Sequence, residues 1–338
     1  MSTLFAEIHR RLLPAYREAR RCQYLSLIAA ADSAGLIGAL GSSIDVETFA
    51  QRTGVSLRRR EELLLLLDCL RQVGVIEYER KIGIIRFRND CSFAPPNWLL
   101  VSQAIGDDRA TSLETGKDAV QAIDWLFHDD SPVLVPFDAT NLIKWDTSFE
   151  QPFYSALRRV GGEMVALPGQ VVADLGCGTG AGLQELLDLV TTSGQVIGVD
   201  VSHPFIAFSR KRFNDRHNVT MHCASIGGDL CFIDNESVDS VMLFGTLHFL
   251  GALQEAVLSN ISRILCPNGK LFLGFTYVNS PISFETALMD FKFAQRSPKV
   301  LASSLVKLIE LTRKNGLVAC TSSSLLGSFY SGVFMKGP

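Results

Sequence analysis

The feature that most constrains this chain is a glycine-rich turn between an apolar segment and a helical one. Residues 171–175 read as a strand, and Gly176, Gly178 and Gly180 punctuate the turn that follows it. Because glycine lacks Cβ and tolerates positive φ, a ligand can lie against bare backbone there. A second apolar segment ends at Asp200, whose carboxylate can accept hydrogen bonds from a ribose diol. The pattern predicts a nucleoside site at the carboxyl ends of parallel strands.

Two classes of nucleoside ligand fit this pattern. Gly176, Gly178 and Ala181 satisfy the dinucleotide fingerprint, and Asp200 falls near the expected distance, as in a nicotinamide or flavin enzyme. Asp174, however, stands just before the first glycine. A carboxylate at that point suits a cationic ligand better than an anionic pyrophosphate, since like charges repel. A cationic nucleoside is therefore favoured, and the nicotinamide enzyme stays as an alternative.

Four blocks of the chain resemble, in the same order, the motifs of the class I S-adenosylmethionine methyltransferases. They are residues 174–180, 198–202, 238–248 and 265–273. The resemblance implies an α/β fold with a Rossmann-like, seven-stranded methyltransferase sheet whose last strand is antiparallel. It also implies S-adenosylmethionine as the cofactor and S-adenosylhomocysteine as the product.

The resemblance assigns cofactor contacts residue by residue. The glycine turn would take the amino-acid end of the cofactor, with Asp174 near its ammonium. Asp200 would bind the ribose hydroxyls, Val201 would pack on the adenine, and Phe244 would contribute a further contact. The family has an acidic residue after the third strand for the adenine amino group, whereas Ser225 stands there in this chain. Asp229 is the nearest carboxylate.

The predicted catalytic residue is His248, which follows the fourth strand of the predicted sheet. In the plant-type O-methyltransferases a histidine at the matching point deprotonates the acceptor hydroxyl. That family continues with Asp-Trp, whereas this chain continues with Phe249 and Leu250. His248 is therefore interpreted as a general base, with a pocket-wall role and a structural role as the alternatives.

The amino-terminal region, residues 1–94, reads as a mostly α domain that ends in a hairpin. A helix, a turn, a second helix and two strands near residues 74–78 and 82–87 are typical of a winged helix. Arg58 to Arg60 raise the alternative of DNA binding, but the following helix is leucine-dense over residues 63–67 and favours burial. The arrangement resembles the dimerisation domain of small-molecule O-methyltransferases. It implies a homodimer, with a monomeric lid as the alternative. The apolar character of the leucine-dense helix argues against a nucleic-acid partner.

Residues 95–165 are predicted to connect the domains and to line an apolar acceptor pocket, and residues 166–338 to form the cofactor-binding domain. Aromatic side chains are frequent in the connecting region, and small-molecule sites are mostly apolar. Five side chains are candidates for the pocket or a lid over it: Trp145, Phe149, Tyr154, His128 and Tyr330.

Composition sets the remaining expectations. The net charge of −3 over 338 residues implies no strong field for nucleic acid or membrane. The eight cysteines have no metal-ligand spacing. We expect no secretion leader, and no apolar run is long enough to span a membrane. We expect a cytoplasmic protein without a metal.

The sequence thus predicts methyl transfer to a small, largely apolar acceptor of aromatic, polyketide-like or terpenoid-like character, with oxygen as the favoured acceptor atom. Carbon or nitrogen acceptors stay open. So does a non-methylating cyclase or regulator that binds the same cofactor.

Overall fold

The computed structural model describes residues 2–40, 43–79, 81–88, 97–105, 109–129, 137–276, 283–284, 286–288, 290–291, 305–325 and 329–338. The chain divides into two compact units. The first, here called the sheet unit, comprises Met1–Arg11, Val135–Tyr277 and Val300–Pro338. The second, the helical unit, comprises Leu12–Leu134 and Val278–Lys299. The predicted boundary between residues 94 and 95 lies outside the described residues.

In its described part, the helical unit contains most of the first helix and several shorter helices and strands. They are α1 (Ser2–Ser33), β1 (Ile44–Asp45), α2 (Val46–Thr53), α3 (Arg60–Gln72), β2 (Ile76–Glu79), β3 (Ile84–Phe87), α4 (Trp98–Ile105) and α5 (Arg109–Asp124). Strands β2 and β3 form the predicted antiparallel hairpin, and β1 adds a third antiparallel strand to β3.

The leucine-dense helix α3 is part of the core of the helical unit, as the sequence predicted. Leu63, Leu66 and Leu67 are almost fully buried. They pack in one cluster with Phe49 of α2 and Ile85 of β3. Burial of that much apolar surface is the main stabilisation of this unit.

The sheet unit alternates helices and strands along most of its length. Its elements are α6 (Leu142–Phe149), α7 (Pro152–Val165), β4 (Val171–Leu175), α8 (Leu183–Val190), β5 (Gln195–Asp200), α9 (His203–Arg212), β6 (Val219–Cys223), β7 (Val238–Phe244), α10 (Gln254–Ile264), β8 (Leu265–Thr276), α11 (Leu305–Lys314), β9 (Leu317–Leu325) and β10 (Phe329–Lys336). Strands in a sheet covered on both faces read as continuous apolar runs. Val172, Ala173 and Leu175 of β4 are accordingly inaccessible to solvent.

The sheet has seven strands in the order β6-β5-β4-β7-β8-β10-β9. The pairs from β6 to β8 are parallel, and β10 pairs antiparallel with both β8 and β9. This is the predicted Rossmann-like sheet with its antiparallel last strand.

The strand order reverses at β4, which lies between β5 and β7. In such sheets the chain leaves the two neighbouring strands in opposite directions, and the loops at their carboxyl ends separate to form a crevice. The glycine turn, Asp200 and the residues after Phe244 all lie at this switch point. Among the described residues, no helix is both long enough and apolar enough to cross a membrane.

Candidate functional site

The glycine turn after β4 has the backbone conformation that the sequence predicted. Gly176, Gly178 and Gly180 have φ angles of +78°, +56° and +84°. A Cβ on Gly176 would collide with the side chain of Thr246, and one on Gly178 would come within 2.9 Å of the Phe149 ring. The turn therefore requires glycine for its dihedral angles and for the close approach of its neighbours, and its backbone forms a cradle that a side chain would fill.

Asp200 connects the turn after β4 to the end of β5. Its Oδ2 accepts a hydrogen bond from Gly178 N at 3.0 Å, and its Oδ1 accepts one from Ser202 N at 2.8 Å. Burial raises the pKa of this carboxyl, and the backbone N–H groups of Ser202, Gly178 and Val201 lower it. Each carboxylate oxygen retains capacity for a further hydrogen bond. Val201, the next residue, is 70% exposed. A partly satisfied carboxylate beside an exposed apolar side chain can hold a nucleoside.

Asp174 lies below the turn, near the end of the central strand. It is buried, and burial raises the pKa of its carboxyl to about 7 although the nearby Arg158 guanidinium lowers it. Asp200 and Glu185 contribute smaller increases because they are also negative. Because the pKa of Asp174 lies near 7, a cationic ligand bound beside it can favour the ionised form of this carboxyl.

Arg158 is a site residue that the sequence analysis missed. It lies on α7 and is 8% exposed, its Nη1 donates a hydrogen bond to Phe149 O at 2.6 Å, and its Nε lies 3.4 Å from Glu185 Oε2. The helical spacing of the residues in α7 could have indicated that Arg158 is buried. Arg158 shares a helix face with Tyr154, Gly161 and Val165 rather than with the exposed Arg159.

Helix α6 packs against the glycine turn and carries two of the predicted lid residues. The rings of Trp145 and Phe149 are 5.5 Å apart, and Phe149 contacts Gly178. Between them, Asp146 accepts hydrogen bonds from Thr179 Oγ1 at 2.6 Å and from Arg212 Nη2 at 2.7 Å. These two contacts hold α6 to the turn and to α9.

His248 lies on a short 3₁₀ turn after β7 and is 6% exposed. Its ring is 4.1 Å from that of Phe249, which in turn meets Phe137 edge-on at 5.2 Å. Phe137 stacks on Trp145 at 4.5 Å. A continuous row of aromatic rings therefore joins the histidine to helix α6.

Tyr154 and Phe244 belong to a second aromatic group at the end of β7. Their ring centroids are 6.4 Å apart, and Phe244 lies 5.6 Å from Phe329 of β10. Phe244 therefore lies at the same sheet edge as the glycine turn.

Three further predicted site residues have the following surroundings. Tyr330 is buried in the core between Phe275 and Phe334, and His128 is an exposed residue of the helical unit, 3.5 Å from Asp124. Ser225 is exposed in a turn after β6. Among the described residues, no cluster of His, Cys, Asp and Glu is suited to a metal ion.

Residues 173–273 match the protein-family model described as a methyltransferase domain. Carboxy-S-adenosyl-L-methionine synthase of Actinobacillus pleuropneumoniae serotype 7 is 34% identical over 122 residues, which are 34% of this chain and 49% of that protein. Demethylmenaquinone methyltransferase of Staphylococcus saprophyticus is 31% identical over 150 residues, 43% of this chain and 61% of that protein. The chain thus spans less than two thirds of the length of these curated relatives.

Solved structures match over nearly the whole chain. The DszA carbon methyltransferase has a TM-score of 0.68 at 16% identity, with 98% of this chain and 93% of that chain covered. The CurJ carbon methyltransferase has a TM-score of 0.64 at 17% identity, with 100% and 94% covered. At such identities the likeness establishes the fold. Residues 173–273 thus match a methyltransferase domain family, which implies S-adenosylmethionine as the cofactor.

Proposed function

We propose that this chain transfers the methyl group of S-adenosylmethionine to a small, largely apolar acceptor and releases S-adenosylhomocysteine. The observation that carries the proposal is the link from Asp200 to Gly178 at the switch point of the sheet. This hydrogen bond holds the Asp200 carboxylate, which suits a ribose diol, against the glycine turn. The turn suits the amino-acid end of S-adenosylmethionine.

The remaining assignments follow from the surroundings of that link. Asp174 would face the α-ammonium, Val201 would pack on the adenine, and Ser225 would approach the adenine edge. Phe244, at the end of β7, would flank the cradle. When bound, the cofactor supplies a methyl group on a sulfonium, so the chain mainly has to align an acceptor with it and exclude water.

His248 is proposed to accept the proton that the acceptor loses. It lies in the loop after β7, where open parallel sheets carry their functional groups. The aromatic row from Phe249 to Trp145 would form an apolar wall that keeps bulk water from this proton transfer. The proposed acceptor wall comprises Trp145, Phe149 and Tyr154.

The acceptor atom has two candidates. The sequence resemblance favours oxygen because of the arrangement of the amino-terminal region. Carbon is favoured by a different observation, since the two carbon methyltransferases share the fold over 98–100% of this chain, amino-terminal region included. Pairing of two copies through the winged-helix-like region stays a prediction of the resemblance.

Calorimetric titration with S-adenosylmethionine, S-adenosylhomocysteine and NAD tests the cofactor site. We expect both adenosyl compounds to bind and NAD not to bind. Asp200→Asn should weaken binding roughly 10- to 100-fold, because charge-assisted hydrogen bonds to the ribose are lost. The exposed Asp188→Asn on α8 is the matched control and should bind as the wild type does. Binding of NAD alone would establish the nicotinamide alternative instead.

Transfer of a labelled methyl group to a panel of phenols and 3-oxoacyl thioesters tests turnover. His248→Asn should retain cofactor affinity and lose about 10²- to 10⁴-fold in rate, the usual contribution of a positioned base. His217→Asn, at an exposed position, should change neither. Cofactor binding without transfer to any acceptor class would favour a cyclase or regulator, and an unchanged rate in His248→Asn would refute the assignment of the base.

A further inference from the structure

Three cross-strand neighbours form a row on one face of the sheet. Phe244 of β7 pairs with Gly274 of β8, and Gly274 pairs with Ser331 of β10. Residues paired in this way project to the same face of a sheet. Helix α7 covers this face, because its Gly161 lies against the ring of Phe272, two residues before Gly274 on β8. The row therefore leads from the end of β7, at the edge of the glycine turn, toward the far strands of the sheet.

The ring of Phe244 fills the space that Gly274 leaves. A Cβ on Gly274 would lie 2.6 Å from Phe244 Cδ2 and 3.0 Å from its Cε2. The ring thus lies over the glycine, and its centroid is 5.6 Å from that of Phe329 on β10. Phe244 and Tyr154 are both half-buried, with ring centroids 6.4 Å apart. A turn of the Phe244 ring away from the glycine would open a slot between Tyr154 and Phe329, here called the Gly274 slot.

The hydroxyl at the end of this row has no partner. Ser331 is inaccessible to solvent, and its Oγ has no hydrogen-bond partner in the part of the chain that the structure describes. Phe329 and Val333, two residues away on the same face, are buried and apolar. Such a hydroxyl costs free energy that alanine would not. Ser240 of β7 is also buried without a described partner, so an unsatisfied hydroxyl by itself indicates no site. What distinguishes Ser331 is the Gly274 slot beside it.

A carbonyl oxygen is the group that satisfies this hydroxyl best. The Ser331 O–H can donate to it, and a carbonyl brings no proton that would need an acceptor of its own. A ligand hydroxyl would instead leave one of the two O–H donors of the pair unused. The walls of the slot are aromatic and suit a flat apolar body; they are Phe153, Tyr154, Phe244 and Phe329. The slot thus fits the carbonyl end of a flat, apolar molecule.

We propose that the Gly274 slot is the far end of the acceptor site, where Ser331 donates a hydrogen bond to a carbonyl oxygen of the acceptor. This inference rests on the proposed function. It describes the acceptor more closely, as a flat apolar molecule whose carbonyl group lies at the end opposite the methylated atom. The Phe244 ring would move aside as this end enters.

Calorimetry with two phenols of matched shape tests the slot. 4-Hydroxyacetophenone carries a carbonyl oxygen opposite its hydroxyl, and 4-isopropylphenol carries a methyl group in the place of that oxygen. Both are titrated into the protein loaded with S-adenosylhomocysteine. Ser331→Ala should weaken binding of 4-hydroxyacetophenone about 2- to 10-fold, the range of one net hydrogen bond, and should not weaken binding of 4-isopropylphenol.

Two further variants separate recognition from folding. Ser240→Ala also removes a buried, unpartnered hydroxyl, but four residues before Phe244 on β7, and should change neither affinity. Gly274→Ala adds a methyl group to the floor of the slot and should weaken both phenols about tenfold, because the slot is then overfilled. Thermal melting of each variant reports its folding. Ser331→Ala should not melt below the wild type, since it removes an unsatisfied hydroxyl.

The results lead to distinct conclusions. If Ser331→Ala leaves the ratio of the two affinities unchanged, the role of Ser331 is overturned and the proposed function stands. An equal loss of both phenols with a lower melting temperature would make Ser331 a structural residue and would also overturn the inference. So would binding of neither phenol by a wild type that binds S-adenosylhomocysteine. Failure to bind S-adenosylhomocysteine would refute the proposed function itself, and titration of the cofactor-free protein would still decide whether the slot binds the carbonyl.

Discussion

At the residue scale, Asp174 is subject to two opposing requirements. Its carboxylate would attract the ammonium of the cofactor, yet it lies inside the sheet, where ionisation is unfavourable. Burial raises its pKa to about 7, from an ordinary value of 3.8. The ligand-free protein therefore binds an extra proton relative to the unfolded chain between these values. The contribution of Asp174 to stability is complete at acid pH and is lost as the pH rises through 7.

This pKa predicts a pH dependence of cofactor binding. Below pH 7 the neutral carboxyl does not attract a cation, so the affinity for S-adenosylmethionine should rise between pH 5.5 and 7.5, with a limiting slope of about tenfold per pH unit. Calorimetry across this range measures the slope. Asp174→Asn should bind weakly and without this slope, while Asp188→Asn should reproduce the wild-type profile. A flat wild-type profile would contradict the placement of the ammonium at Asp174.

Some site residues could be predicted from the sequence because the local pattern around them is sufficient. Such a pattern marks either a turn that requires glycine or a polar residue at the end of an apolar strand. Gly176 and Gly178 are such residues, and so is Asp200. Arg158 could be assigned to a buried helix face but not to its partners. Its contacts with Phe149 and Glu185 depend on how α7 packs on α6 and on α8, which no local pattern encodes.

At the scale of elements, α6 is a helix of eight residues, too short to be stable by itself. Its position depends on its aromatic packing and on Asp146, which accepts from Thr179 Oγ1 and Arg212 Nη2. The sequence predicted that Trp145 and Phe149 belong to a lid. It did not predict the polar contacts, because Asp146 is 33 residues from Thr179 and 66 from Arg212. The alternation of strands and helices, by contrast, was sufficient to predict the sheet.

If α6 covers bound cofactor, loosening these contacts should speed product release. Thr179→Val removes a hydroxyl at a buried position without changing the side-chain shape. We expect S-adenosylhomocysteine to dissociate about tenfold faster, because a hydrogen bond to a carboxylate is lost. Stopped-flow displacement measures this rate. Thr220→Val, at an exposed position on β6, is the control. An unchanged rate would show that α6 does not retain the ligand.

At the scale of the whole molecule, similarity in sequence and similarity in structure extend over different lengths of the chain. The curated relatives match the methyltransferase domain, whereas the DszA and CurJ structures share the fold over nearly the whole chain. The amino-terminal arrangement that favoured oxygen in the sequence analysis is covered in these carbon methyltransferases as well. That arrangement therefore does not discriminate between the two acceptor atoms, and the chemistry of the acceptor has to do so.

A carbon acceptor predicts a partial reaction that an oxygen acceptor does not share. The carbon between the two carbonyls of a 3-oxoacyl thioester must lose a proton to His248 before it can be methylated, and without a methyl donor the proton returns. In deuterated water with S-adenosylhomocysteine bound, we expect enzyme-dependent deuterium incorporation at that carbon, measured by NMR. His248→Asn should abolish the incorporation and His217→Asn should not. Methylation of a phenol with no exchange at the thioester would instead establish oxygen as the acceptor atom.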